Sequence, residues 1–241
     1  YDDYAKPLIA FIESHPNSGW NASLNLNIGL GYYGSGYFSK TFDYFKQAWE
    51  LGRGSTSVEA TRMADRALGE LAEMYARLGR KDDLEQLFAA TKDRAISSAA
   101  SFMMQGARDG LDTFKYRPEV AYLCGPQALK NVLGFLHAKE EQIKVAADAR
   151  SGARGVSLTE LAKLADKAGF AYTLIFREPG QPLPVPSIVN LKVNHYTALL
   201  EERDGKYLVK DPTFGAAGSI ITAKAADEES PCGLGKGVPM N

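Results

Sequence analysis

A chain of 241 residues with 45% hydrophobic and 24% charged side chains carries enough apolar matter for a sizeable core and for one to two domains. Its formal net charge of −1 gives no electrostatic pull toward nucleic acid or an anionic membrane, and no run reaches the roughly 18 apolar residues of a membrane span. Two cysteines, Cys124 and Cys232, exclude a disulfide framework, and with His15, His137 and His195 they form no C-x-x-C or H-x-x-x-H spacing, so no metal site is expected.

The sequence opens at Tyr1 with neither Met nor signal peptide, as expected of a processed or excised piece, so its start does not reveal a compartment. Tyr4, Leu8, Ile9, Phe11 and Ile12 have helical spacing and predict a helix over 2–14, broken by His15-Pro16-Asn17-Ser18-Gly19. An internal repeat follows. Ile28, Gly29, Tyr32, Gly36 and Phe45 recur as Leu71, Ala72, Tyr75, Gly79 and Phe88, with a constant offset of 43 (32 to 75, 36 to 79, 45 to 88). The arrangement resembles the tetratricopeptide pattern, whose period is about 34, lengthened here by the insertion Gly52-Arg53-Gly54-Ser55-Thr56-Ser57. Residues 20–92 are therefore expected to form two antiparallel helix pairs, with the first helix and residues 93–111 completing the stack. Gly29-Leu30-Gly31-Tyr32-Tyr33-Gly34 spells a dinucleotide fingerprint but lies inside a helix and its turn, without the strand that motif needs, and no cofactor is expected.

Residues 112–123 have few periodic cues and contain Pro118, which reads as a linker. Beyond it, Ala128, Leu129, Val132, Leu133 and Leu136 give one apolar face to a helix over 124–137. A second helix is expected over about 140–150. Ser157-Leu158-Thr159-Glu160 is a capping box that opens a third, ending at Gly169. Residues 171–176 read as a strand. The proline-rich run 177–186 reads as a loop, and 187–193 as the next strand. The apolar, strand-like run from His195 to Leu200 ends at the Asp204-Gly205 turn and is expected to return as Lys206 to Lys210, a hairpin that brings Asp211 back beside His195. The polar, Gly-rich tail from Ala223 is expected to fray, and Cys232 within it to be an incidental exposed thiol.

Chemistry concentrates at three positions. A thiol at a helix start, as at Cys124, is favoured as thiolate by the unpaired first-turn N–H groups and the dipole. An imidazole at His195 would activate it, and a carboxylate at Asp211 would hold the imidazole in the matching tautomer.

The order Cys, His, Asp, with CGP opening a helix, then H-Y-x-A-L-L, a hairpin and K-D-P-T-F-G, resembles the papain-like cysteine peptidases that process double-glycine leaders of bacteriocins. Helical repeats in front of such a domain are similar to the N-terminal region of large bacterial Rhs-repeat proteins. The resemblance covers roughly residues 115 to 225. It implies an α+β fold with a tetratricopeptide-like domain over 1–112 and a papain-like domain with an antiparallel sheet over 113–241. It also implies hydrolysis of a peptide bond through a thioester, on its own precursor or on a partner, within an exported bacterial protein. Carried over by position, Cys124 is nucleophile, His195 base and then acid, and Asp211 the orienting group. The family's Gln shortly before the Cys has no counterpart in residues 117–123, so the Cys124 N–H needs a second oxyanion donor, for which Gln127 and Asn194 are the candidates. Two other readings use the same residues: a degenerate module that binds a peptide without cutting it, and acyl transfer to an amine as in transglutaminases.

Overall fold

The computed structural model describes the chain apart from residues 97, 176, 179, 214, 231–234 and 238–241. Backbone contacts divide it into two compact units, Tyr1–Asp112 and Thr113–Asn241.

The first unit is helical: α1 (Asp2–Ser14), α2 (Asn21–Gly34), α3 (Phe38–Gly52), α4 (Val58–Arg77), α5 (Lys81–Ala90) and α6 (Ser98–Tyr116), the last running past the division. The tight connections from α2 to α3 and from α4 to α5 each place a glycine at positive φ, Gly36 at 83° and Gly79 at 68°, which a side chain would oppose. Ile28, Phe45, Leu68 and Leu71 are fully buried between these helices. The glycine that opens the fingerprint lies within α2, and its role is close packing. A Cβ on Gly29 would lie 2.6 Å from the Phe45 ring, so only hydrogen lets α2 and α3 approach this closely.

The second unit combines α7 (Pro118–Ala121), α8 (Cys124–Phe135), α9 (Glu140–Ala147) and α10 (Leu158–Lys167) with β1 (Thr173–Ile175), β2 (Ser187–Leu191), β3 (His195–Arg203), β4 (Lys206–Asp211) and β5 (Gly215–Thr222). It ends with α11 (Ala223–Glu229) and β6 (Gly235–Gly237). The strands form one sheet in the order β1-β6-β2-β3-β4-β5, antiparallel at every pairing. Mixed helix and antiparallel sheet is the expected α+β class. Leu129, Val132 and Leu133 of α8 meet Ala146 of α9, Leu161 and Ala165 of α10, and Ile188, Ala198 and Leu200 of the sheet in one buried cluster. The Ser157 capping box is formed on both sides, and Asp204 and Gly205 both take positive φ, the backbone of a tight hairpin turn.

The structure corrects several expectations. Residues 112–123 are not an unstructured linker. The buried stripe Ala100, Met104, Ala107, Leu111 carries on to Phe114 at helical spacing, so α6 extends to Tyr116, and Pro118 occupies the first turn of α7, where its missing N–H costs nothing. Helix α8 stops at Phe135, two residues short of His137, whose φ of 53° belongs to the reversal after the helix. The tail does not simply fray: Thr222 caps α11, and Gly235–Gly237 pairs with both β1 and β2. A Gly-Lys-Gly run has no strand propensity of its own, and the open edge of β2 supplies the pairing. Cys232 lies outside the described residues.

Candidate active site

Helix α8 begins at Cys124, and its cap position, Leu123, offers no side-chain acceptor, so the first-turn N–H groups are left to face the sulfur or a ligand. The N–H groups of Gly125 and Tyr196 both donate to Cys124 sulfur. Gly125 lies under the Tyr196 ring, which a Cβ there would reach at 3.4 Å. This contact and the Leu161 side chain fix the helix start against β3.

His195 is the first residue of β3 and Asp211 the last of β4, so the hairpin register places both at the end away from the turn. His195 Nε2 lies 2.7 Å from Asp211 Oδ2, leaving Nδ1 as the nitrogen for Cys124, whose thiol is hydrogen-bonded to the imidazole. The other carboxylate oxygen, Oδ1, accepts the Thr213 N–H at 2.8 Å, which prevents the carboxylate from turning.

Charge on each of the three groups is opposed by burial and favoured by its neighbours. For Cys124 burial raises the pKa, but the hydrogen bond and charge of His195, with the two backbone N–H groups, outweigh it and hold the thiol below its ordinary value. For His195 burial favours the neutral ring, while Asp211 and then Cys124 overcome it and push the pKa up to about 9. Burial likewise resists ionisation of Asp211, and the bonds to His195 and to Thr213 N–H hold its carboxyl below the usual carboxylate range. A lowered thiol beside a raised imidazole favours the thiolate–imidazolium pair.

The two oxyanion candidates are placed differently. Gln127 directs Nε2 to Asn131 Oδ1, 3.4 Å away and one turn along α8. Asn194 is exposed at φ 61° in the turn between β2 and β3, a conformation asparagine tolerates. Both have structural work in these positions. The Cys124 N–H is the first of helix α8, in the turn whose N–H groups have no partner within the helix, and no side chain caps it. Sequence reasoning passed over Asn131, although a polar residue between Ala128 and Val132 on the buried side of α8 was a visible signal. Among the described residues no group of His, Cys, Asp and Glu is arranged to hold a metal ion, and no helix is long and apolar enough to cross a membrane.

Residues 119–226, the stretch that contains Cys124, His195 and Asp211, match the model of the Peptidase C39 family. The match indicates a cysteine peptidase, a hydrolase with a peptide substrate. No curated protein and no solved structure matches the chain.

Proposed function

We propose that this protein cuts a peptide bond with Cys124 as nucleophile, His195 as acid and base, and Asp211 as the group that orients His195. The observation that carries the reading is the pair of hydrogen bonds on one buried imidazole, to the thiol on one side and to Asp211 at 2.7 Å on the other. The Cys124 thiolate adds to the scissile carbonyl carbon, and the resulting oxyanion is met by the Cys124 N–H at the start of α8. The imidazolium of His195 gives its proton to the leaving nitrogen, the C–N bond breaks, and a thioester remains on Cys124. Neutral His195 then takes a proton from water, whose oxygen attacks the thioester, and the acid product leaves with Cys124 restored as thiolate. We read the first unit as a tetratricopeptide-like domain and the whole as the front part of an exported Rhs-type bacterial protein. The substrate on this reading is a segment of its own precursor or of a partner polypeptide.

Terminal masses of the full-length polypeptide, with Cys124 present and with Cys124→Ala, test both the cut and its place. A cut that persists without Cys124 would sink the assignment. A second reading, a module that holds a peptide without cutting it, is favoured by the absence of a glutamine from Arg117 to Leu123. It predicts no labelling of Cys124 by a thiol-directed active-site probe. Adding a primary amine to the assay separates hydrolysis from transglutaminase-like transfer, which would yield an amide of the amine in place of the free acid.

A further inference from the structure

Cys124, Gln127 and Asn131 lie at spacings of three and four along α8, so they follow one another up a single side of the helix. Asn131 is 8% exposed, and its Nδ2 donates to the backbone carbonyl of Lys210 at 2.9 Å, while its Oδ1 accepts from Gln127. Lys210 immediately precedes Asp211. The ladder from β4 to β5 shifts register between Val209 and Asp211, and it is in this interruption that the Lys210 carbonyl goes to the helix. An apolar side chain of the same volume would remove the donor that the Lys210 carbonyl meets in this part-buried place.

The three reactive groups come from two elements, a helix carrying the thiol and a hairpin carrying the imidazole and carboxylate. Their relative placement therefore depends on what ties helix to hairpin beside the site, and a misplacement of about 1 Å costs on the order of a hundredfold in rate. We infer that Asn131 is a positioning residue, which fixes the backbone in front of Asp211 to the helix that bears Cys124 and so keeps the carboxylate in line with His195. This rests on the triad assignment proposed above.

The test compares Asn131→Leu, Asn131→Ser and Cys124→Ala with the parent chain in peptide hydrolysis across pH, with circular dichroism as the check on folding. If Asn131→Leu does not fold, the smaller Asn131→Ser, which leaves room for water at the Lys210 carbonyl, decides the matter by the same readouts. Expected for the folded variant is a fall in kcat of roughly ten- to a hundredfold, KM within about twofold, and an alkaline limb displaced downward because Asp211 holds the imidazolium less well. A folded variant with the parental kcat and pH profile, even at a lower melting temperature, overturns the inference, since a packing role alone moves only stability. Turnover retained by Cys124→Ala overturns the triad assignment itself. An inactive Cys124→Ala beside an unaffected Asn131→Leu removes only the positioning role.

Discussion

Asp211 Oδ2 and His195 Nε2 lie 2.7 Å apart in residues only 5% and 3% exposed, separated by 16 positions along the chain. The turn sends β4 back along β3, and the register shift between Leu199 and Glu201 decides the face: past the Ala198–Lys210 pair, Asp211 falls opposite Thr197 and diagonally across from His195 on the same side of the sheet. Water has little access to either group, so the hydrogen bond acts in a medium where its effect on the imidazole is large.

Activity should follow a bell in pH. The acid limb marks ionisation of Cys124 and lies below the ordinary thiol range, because His195 and two N–H groups stabilise the thiolate against the cost of burial. The alkaline limb marks loss of the His195 proton and should fall near pH 9. Measured kcat/KM on one peptide reports both limbs for the free enzyme. An alkaline limb at the unperturbed histidine value of about 6.5 would contradict the support from Asp211.

Removing the thiol should lower the His195 pKa. In Cys124→Ala the neighbouring negative charge is gone while burial and Asp211 remain, so the imidazolium is less stabilised than in the parent chain. The titration of the His195 ring by nuclear magnetic resonance reads this directly. An unchanged midpoint would mean that thiol and imidazole do not share a proton.

Brief alkylation with iodoacetamide at neutral pH should modify Cys124 faster than Cys232, since the rate follows thiolate fraction and a helix start beside an imidazolium raises it. Peptide mapping decides the order. His195→Ala should slow labelling of Cys124 at neutral pH and move its pH dependence upward toward the ordinary thiol range.

The three reactive residues should differ in the severity of their loss. Cys124→Ala removes the proposed nucleophile and should abolish turnover. Asp211→Asn should leave measurable activity, with a loss of roughly ten- to a hundredfold against the ~10⁴-fold of a serine triad, because a thiol needs less help to ionise than a hydroxyl. His195→Ala should fall between them. Rates on one substrate, from protein shown to be folded, establish the order, and an Asp211→Asn enzyme as dead as Cys124→Ala would give Asp211 a larger part than orientation.

Gly29→Ala should destabilise the helical unit by about 1–3 kcal/mol, the cost of overpacking where a new Cβ meets the Phe45 ring at 2.6 Å. The denaturation midpoint in urea should fall with the slope unchanged. In the sheet-bearing unit, Leu133→Ala removes a fully buried side chain from the cluster under β2 and β3 and should cost about 2–5 kcal/mol.

Much of this architecture was legible in the sequence, because the signals involved act over a few residues. Asp204-Gly205 between strand-like runs specifies a hairpin that returns Asp211 to the His195 end of β3, and the register shift between Leu199 and Glu201 puts the two on one face. Ser157 and Glu160 satisfy each other's neighbouring backbone groups and start α10 wherever it packs. Gly36 and Gly79 mark reversals that only a residue without Cβ enters freely.

What the sequence left open depended on partners distant along the chain. Gly235–Gly237 is a strand because two strand edges, β1 and β2, stand where its backbone can pair with both. Helix α6 reaches Tyr116 because Phe114 finds a buried place, although the residues around it are polar. Asn131 has a purpose because the β4 to β5 ladder breaks at Lys210 and leaves a carbonyl facing α8. Backbone preferences and turn chemistry are properties of neighbouring residues, so sequence alone determined the hairpin, the caps and the helix that begins at Cys124. Burial and hydrogen-bond satisfaction are properties of whatever lies across the fold, so tertiary structure decided the sixth strand, the last turns of α6 and the bond from Asn131 of α8 to the Lys210 carbonyl of β4.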